Sequence, residues 1–402
     1  MKRVAITGIG AVTPLGNTAA AFAGSLFEGR SGAARVTRFD PASLPTRFAC
    51  EVKNFESEFR DIKISFAQTA AREAMRMAGL SSLGSNGMLS LGLGLELFSM
   101  DDLIASRAPG FEIPTDFRAR TLFLNTPSDI AAHLIGREFG LENAPQIHIS
   151  ACAASTDALG TAFLDVREGR ADIALAGGAD SMINPMGLGG FCRIGALSGK
   201  NDSPTLASRP FDRDRDGFVL GEGGGFLVLE NEEHARKRGA KILAFISGYG
   251  NSLDAYNISD PHPKGEGALS AMKRALRSAD LTPADISAVS AHGTGTPKND
   301  PAESHAIHAL LGTRVSEVPV FATKSMIGHL ISAGGAVETV AAVVCLQEQR
   351  LHPTANLENP APEVQPLFHV RSKPMKHNLS HILKNSFAFG GQNACLVLSR
   401  GS

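Results

Sequence analysis

Apolar and polar positions follow two alternating rhythms along this chain. Short apolar runs stand at 4–7, 88–95, 147–149, 173–176 and 226–229. Between them lie stretches in which apolar residues return every third or fourth place, the spacing of a helix face. The clearest is 62–78, with Ile62, Phe66, Ala70 and Ala74 on one side. Further helices are predicted at 17–27, started by Asn17, and at 128–139. The second half repeats the plan. Strands predicted at 242–247, 286–291, 319–323 and 394–398 alternate with helices at 267–279, 301–311 and one running to about 349. Residues 31–60 carry little pattern, and 96–125, with Pro109 and Pro114, read as an insertion between core elements. Strand–helix alternation with crossovers predicts an α/β protein of parallel sheets covered by helices, laid down twice.

The sharpest change of rhythm falls at 147–160, I-H-I-S-A-C-A-A-S-T-D-A-L-G. Ile147 and Ile149 end a strand, small residues fill 150–155, and Leu159, Phe163 and Val166 resume at helical spacing. Cys152 is thereby placed on a strand-to-helix turn, at the tip of a helix. Free N–H groups and the helix dipole there stabilise a thiolate and lower the thiol pKa. A small buried core cysteine is the plain alternative. The stretch 319–338 has the same order of apolar run, small residues and apolar helix.

Three other strand ends carry candidate chemistry, and ligands in α/β folds gather at strand ends. They are A-H-G-T-G-T-P with His292, Thr294 and Thr296, T-K-S-M-I-G-H with Lys324 and His329, and N-S-F-A-F-G-G-Q-N before the last strand. Two histidines at glycine turns beside a helix-tip cysteine form a set suited to nucleophilic acyl transfer.

Other motifs are set aside. G-I-G near the start has Thr13 where a dinucleotide loop needs its third glycine. D-R-D-R-D-G at 212–217 copies half of a calcium loop, but the twelfth place, 223, is glycine, so the charges read as pinning a tight surface loop. His305 and His308 form H-x-x-H on a helix without a third ligand and read as a solvated face.

Composition narrows the setting. A net charge of −1 without Lys/Arg runs gives no support for nucleic-acid binding. Five scattered cysteines, with no C-x-x-C, disfavour disulfide or zinc frameworks and fit a reducing compartment. The opening M-K-R-V-A-I-T-G reads as a strand, and no apolar stretch reaches the ~20 residues of a membrane span. A soluble cytoplasmic protein is expected.

The chain resembles the β-ketoacyl-[acyl carrier protein] synthases of the thiolase-like superfamily, most closely the elongating Cys–His–His type. The matched motifs are S-A-C-A-A-S (150–155), S-R-P-F-D-x-x-R-D-G-F-V-x-G-E-G (208–223), H-G-T-G-T-P-x-N-D-P-A-E (292–303), T-K-S-x-x-G-H (323–329), G-G-A-V-E (334–338) and N-S-F-x-F-G-G-x-N (385–393). With the opening strand and the closing one, the resemblance spans residues 4 to 399 in the family's order. The resemblance implies two similar α/β halves, 1–240 with the nucleophilic cysteine and 241–402 with both catalytic histidines, in a five-layered αβαβα fold.

It further implies a decarboxylative Claisen condensation between an acyl chain and malonyl-[acyl carrier protein]. Cys152 would hold the acyl chain, and the backbone N–H groups of Cys152 and Phe389 would form the oxyanion hole. His292 and His329 would stabilise the enolate, and Lys324 would pair with Glu338 and orient the site. Thr294 and Thr296 would bind pantetheine, and Phe389 would gate the acyl pocket. No cofactor or metal is implied, since substrates arrive on the phosphopantetheine of acyl carrier protein. Arg60, Lys63, Arg193 and Lys200 are candidate docking residues for that acidic partner. The family forms dimers, so a homodimer, or a heterodimer with a ketosynthase-like subunit that sets chain length, is expected.

The chain departs from the family at L-G-L-G-L-E-L-F-S-M-D-D after the third strand, at Gln392, where Thr is usual, and at A-A-S-T-D after the cysteine. These departures point to a specialised polyketide or polyene synthase. A coenzyme A thiolase is the remaining alternative, and it would need a second reactive cysteine where Cys395 instead lies inside the last strand.

Overall fold

In the computed structural model of the protein, residues 2–94 and 130–401 are described, with 107, 109, 110 and 112 between them. The insertion read at 96–125 therefore falls almost wholly outside the described residues, as does the start of the helix expected at 128–139; that helix is described from Ile130 to Glu138.

The first half contributes β1 (Val4–Val12), β2 (Gly87–Leu93), β3 (Gln146–His148), β4 (Ile173–Ser181) and β5 (Glu222–Asn231). The second contributes β6 (Ala244–Leu253), β7 (Ala288–Ser290), β8 (Pro319–Phe321), β9 (Phe368–His369), β10 (His381–Phe387) and β11 (Gln392–Arg400). They are hydrogen-bonded in the order β9-β8-β7-β10-β11-β6-β1-β5-β4-β2-β3. The two halves of the sheet join through a short antiparallel seam, Val4–Ile6 against Ala244–Ile246.

Each half has the same internal order. β1 and β6 run antiparallel to β5 and β11, which run antiparallel to β4 and β10. Outward from β4 and β10 every pairing is parallel. The expectation of parallel sheets is thus corrected to mixed ones: the strand that returns beside each parallel set enters against it.

Helices cover the sheets on three levels. α1 (Ile62–Ala78) lies on β1, β5 and β4, while α3 (Glu266–Ser278) lies on β6 and β11 with α4 (Asn299–Leu311) beside it. Between the sheets run α2 (Ala154–Glu168) and α5 (Gly334–Glu348), which touch strands of both halves. The result is five layers, αβαβα. A helix in the middle layer meets protein on every side, so α5 is buried from Gly334 to Leu346 and mostly apolar, with Glu338 its one buried charge. The stretch Ile331–Glu348 is apolar enough to cross a bilayer, yet it is 89% buried inside the protein.

The inner helices repeat one another closely. A 3₁₀ turn at Ala151–Ala153 leads into α2, and a second at Ile331–Ala333 leads into α5, each offset by 180 residues. Both turns begin on a non-glycine residue in the left-handed region, Ala151 at φ 46° and Ile331 at φ 44°. The G-I-G stretch, by contrast, lies within continuous strand β1. A Cβ at Gly10 would stand 2.0 Å from the carbonyl oxygen of Ala70, so the glycine lets α1 lie directly on the strand.

Candidate active site

Cys152 sits in the turn that precedes α2, and its side chain is buried. His329 Nε2 is 3.0 Å from its Sγ. His292 arrives at the end of the β7 segment, and the two imidazoles meet edge to face with centroids 5.4 Å apart. These three residues, together with Thr294, Thr296, Phe387 and Phe389, line one cavity of about 330 Å³. Sequence-distant elements from both halves therefore converge on a single sulfur atom.

Heavy-atom partners fix the tautomers. Ile331 N–H donates to His329 Nδ1 at 3.2 Å, so the neutral ring carries its proton on Nε2 and presents it to Cys152. Lys324 Nζ stands 3.2 Å from His292 Nδ1 and donates to the His292 carbonyl at 2.8 Å. His292 likewise keeps its proton on Nε2. Burial pushes both imidazoles well below their ordinary pKa, and the charge of Lys324 adds to the shift. Both rings are accordingly neutral N–H donors at pH 7.

The cysteine departs from the sequence reading. Burial pushes the Cys152 thiol up to about 11, outweighing the opposing pull of Lys324 and of the backbone N–H groups of Phe389 and Cys152. The helix tip is present, but in the unliganded site removal from water dominates. Alkylation of Cys152 by iodoacetamide should therefore accelerate about tenfold per pH unit between pH 7 and 9.5. A rate already level at pH 7.5 would show a preformed thiolate instead.

Lys324 and Glu338 stand behind the cavity wall, joined by a very short buried contact between Nζ and Oε1. Thr294 and Thr296 share a hydroxyl contact of 3.0 Å on the cavity wall, and Asp300 accepts the N–H groups of Thr294 and Gly295. Phe389 is 37% exposed at the mouth. Its neighbours Gly390 and Gly391 have φ of 84° and 74°, a turn that side chains resist. Lys298 and Asp260 form a 2.7 Å ion pair across the same opening.

Several assignments are corrected. Lys63 is 3% exposed and pairs with Asp61 at 2.9 Å, so it offers no docking charge; Arg60 and Arg193 are exposed and Lys200 half-buried. His305 is half-buried, with its ring nitrogens at 2.7 Å from the Pro301 carbonyl and 3.2 Å from Gln365, and is not part of a solvated face. Asp212 is fully buried and accepts backbone N–H groups of Asp214, Glu358 and Asn359, so that loop is clamped to the second half. Cys395 lies within β11, as expected, with Sγ 3.2 Å from Asn385 Oδ1.

Two residues of the site were not singled out from sequence. Glu303 accepts the N–H groups of His292 and Gly293, each at 2.8 Å, and burial pushes its carboxyl up to about 7. Lys384, fully buried in β10, lies 3.4 Å from the second oxygen of Glu338. Glu303 stands inside a quoted motif, whereas Lys384 directly precedes one; a charged residue beside an otherwise apolar strand end was the available signal.

Comparison with known proteins gives a consistent picture. Residues 1–235 match the family described as Beta-ketoacyl synthase, N-terminal domain, and residues 243–358 its C-terminal domain. The chain is 39% identical to 3-oxoacyl-[acyl-carrier-protein] synthase 2 of Synechocystis sp., over 99% of this chain and 98% of that protein. Two solved structures superpose with a TM-score of 0.88 over the whole of both chains. One, 30% identical, is a type II PKS acyl-carrier protein in complex with its ketosynthase bound to the hexaketide. The other, 32% identical, is the ishigamide ketosynthase/chain length factor.

Proposed function

The chain belongs to the beta-ketoacyl synthase family and is an acyltransferase of that kind; from this premise we propose how its own residues divide the work. Cys152 Sγ attacks the carbonyl of an acyl thioester, forming a C–S bond while the carrier's thiol leaves with the proton. Backbone N–H groups of Cys152 and Phe389, which both favour negative charge at the sulfur, hold the oxyanion. A malonyl thioester then loses CO₂, and the electron pair passes into an enolate stabilised by the Nε2–H groups of His292 and His329. Its carbon attacks the acyl-Cys152 carbonyl, a C–C bond forms, and Sγ leaves as a thiolate that takes up one proton. The product is a 3-oxoacyl thioester longer by two carbons.

One observation carries this reading: a sulfur and two neutral imidazoles share one cavity, with His329 Nε2 3.0 Å from Sγ. Lys324, paired with Glu338, fixes His292 through Nδ1. Thr294 and Thr296 bind the pantetheine arm and Phe389 gates the pocket. The cycle uses no cofactor beyond the phosphopantetheine of acyl carrier protein, and Arg60, Arg193 and Lys200 remain the docking candidates. The halves 1–240 and 241–402 act as the two thiolase-like domains of a cytoplasmic enzyme; all five cysteines are free.

A second subunit completes the molecule on this reading. Among the described residues β3 ends the sheet, and Ile149, directly after it, is 64% exposed. An unpaired edge beside an exposed apolar residue favours strand pairing with another chain. That chain is a second copy or a ketosynthase-like partner, and the likeness to a ketosynthase/chain length factor favours the latter. The purified chain, alone and with such a partner, is to be offered acyl- and malonyl-carrier proteins. Release of CO₂ and a 3-oxoacyl-carrier product is the expected result; turnover of free acyl-CoA without carrier protein would favour thiolase chemistry.

A further inference from the structure

Glu338 is a single carboxylate between two amines. Its Oε1 takes Lys324, and its Oε2 stands 3.4 Å from Lys384 Nζ. Lys384 also donates to Thr156 Oγ1 on α2, at 2.9 Å, and to Ser386 Oγ on its own strand. Among the described residues neither lysine has another acidic partner within ion-pair distance. With both amines protonated, this row carries one positive charge more than Glu338 neutralises, in a site removed from water.

We propose that Lys384 is a positioning residue for the condensation half of the cycle. Through Glu338 it holds Lys324 against His292, and it leaves the pocket with a net positive charge that receives the malonyl carboxylate. The inference rests on the ketosynthase reading above and extends it. Acyl transfer to Cys152 brings in a neutral thioester, and its transient oxyanion rests on the backbone N–H groups of Cys152 and Phe389, away from Lys384. Condensation brings in a carboxylate and passes through an enolate and a thiolate, all of which a nearby cation favours. Loss of the Lys384 charge therefore acts on the two half-reactions unequally.

Several titratable groups face Lys384: Glu338 on α5, Lys324, Cys395 on β11 and Asp157 on α2, with His292 and His329 further off. Burial lowers the Lys384 pKa to about 8, with Glu338 pulling the other way. The cation is thus present below that pH and is lost as pH rises through it. Condensation should decline on the alkaline side of about 8, while acylation does not follow that limb.

The test separates the halves. Cys152 acylation by an acyl-carrier thioester is followed by intact mass, and condensation by CO₂ release from malonyl-carrier protein. In Lys384→Met, acylation should stay within about twofold. Condensation should fall about ten- to thirtyfold, the effect of removing one charge several ångströms from the reacting group at an effective dielectric near 20. Thr156→Val keeps the lysine but removes an acceptor of its ammonium, so its alkaline limb should move to lower pH. If Lys384→Met does not fold, Thr156→Val decides. Equal slowing of both halves in Lys384→Met, an unmoved limb in Thr156→Val, or no limb between pH 7 and 9 in the unaltered chain would each overturn the proposal. No acyl adduct on the unaltered chain would instead sink the ketosynthase reading itself.

Discussion

Replacing Cys152 with alanine should abolish condensation, with a loss of at least about four orders of magnitude in kcat/KM, the scale reached when a nucleophile is deleted. Intact mass should show no acyl adduct after incubation with acyl-carrier thioester, whereas the unaltered chain gains one. The fold should survive the change. Cys152 packs in a minor cluster with Met182, Leu188 and Phe218, away from the large cluster around α5, and loses only one buried atom. The stability cost is about 1 kcal/mol, readable as a small shift in thermal midpoint. An alanine variant that still acquired an acyl adduct would move the nucleophile elsewhere, and Cys192, half-buried in the same cluster, would be the first place to look.

Removing either imidazole should cost condensation about 10²- to 10³-fold, the usual effect of losing one preset donor to a developing oxyanion. His292→Ala and His329→Ala should each slow CO₂ release from malonyl-carrier protein far more than they slow acylation of Cys152. The double variant should fall short of the product of the two losses, because both donors serve one enolate. The pH dependence follows from the direction of the shifts. Burial holds both rings well below the ordinary histidine pKa, so the neutral donor form persists as pH falls through 6.5. CO₂ release should stay level across that range. An acidic limb centred near 6.5 that disappears in His329→Ala would show a ring protonating where the structure keeps it neutral.

The legible parts of this chain were those whose periodicity or spacing served a single purpose. Helix 62–78 was bounded to the residue, because its apolar face repeats without interruption and Asp61 and Gly79 close its ends. The motifs that begin at His292 and Thr323 stand where the pattern puts them for a similar reason, since each joins an apolar run to a turn that needs small residues. Strand β10 was missed. Its sequence, H-I-L-K-N-S-F, puts Lys384, Asn385 and Ser386 in a row that reads as loop. All three are buried because each has a buried partner, Glu338, Glu303 and Thr156 respectively. Local pattern does not reveal partners that lie 46 to 230 residues away.

Two glycine-rich stretches misled in opposite ways. The apolar run at 173–176 is followed by Gly177 and Gly178, yet β4 runs through them to Ser181. A Cβ at Gly178 would meet the Gly92 carbonyl oxygen at 2.4 Å, so these glycines serve close packing and not a turn. Residues 185–193 show no helical periodicity and yet form a helix, because Asn184 caps it through Gly187 N–H and Pro185 opens it. The direction of the Cys152 shift was not legible at all. It depends on how much protein closes over the sulfur, which no motif encodes.

The two inner turns carry a last implication. The residue 180 places beyond Cys152 is Ser332, at the tip of α5, and its N–H donates to Asp180 Oδ2 at 3.0 Å. In one copy of the tandem frame the positive helix end stays open toward a cavity, ready for an oxygen atom that comes and goes. In the other, a resident carboxylate occupies that place permanently. A scaffold built by doubling thus has two doorways of like design, and this protein keeps the second one shut with its own aspartate.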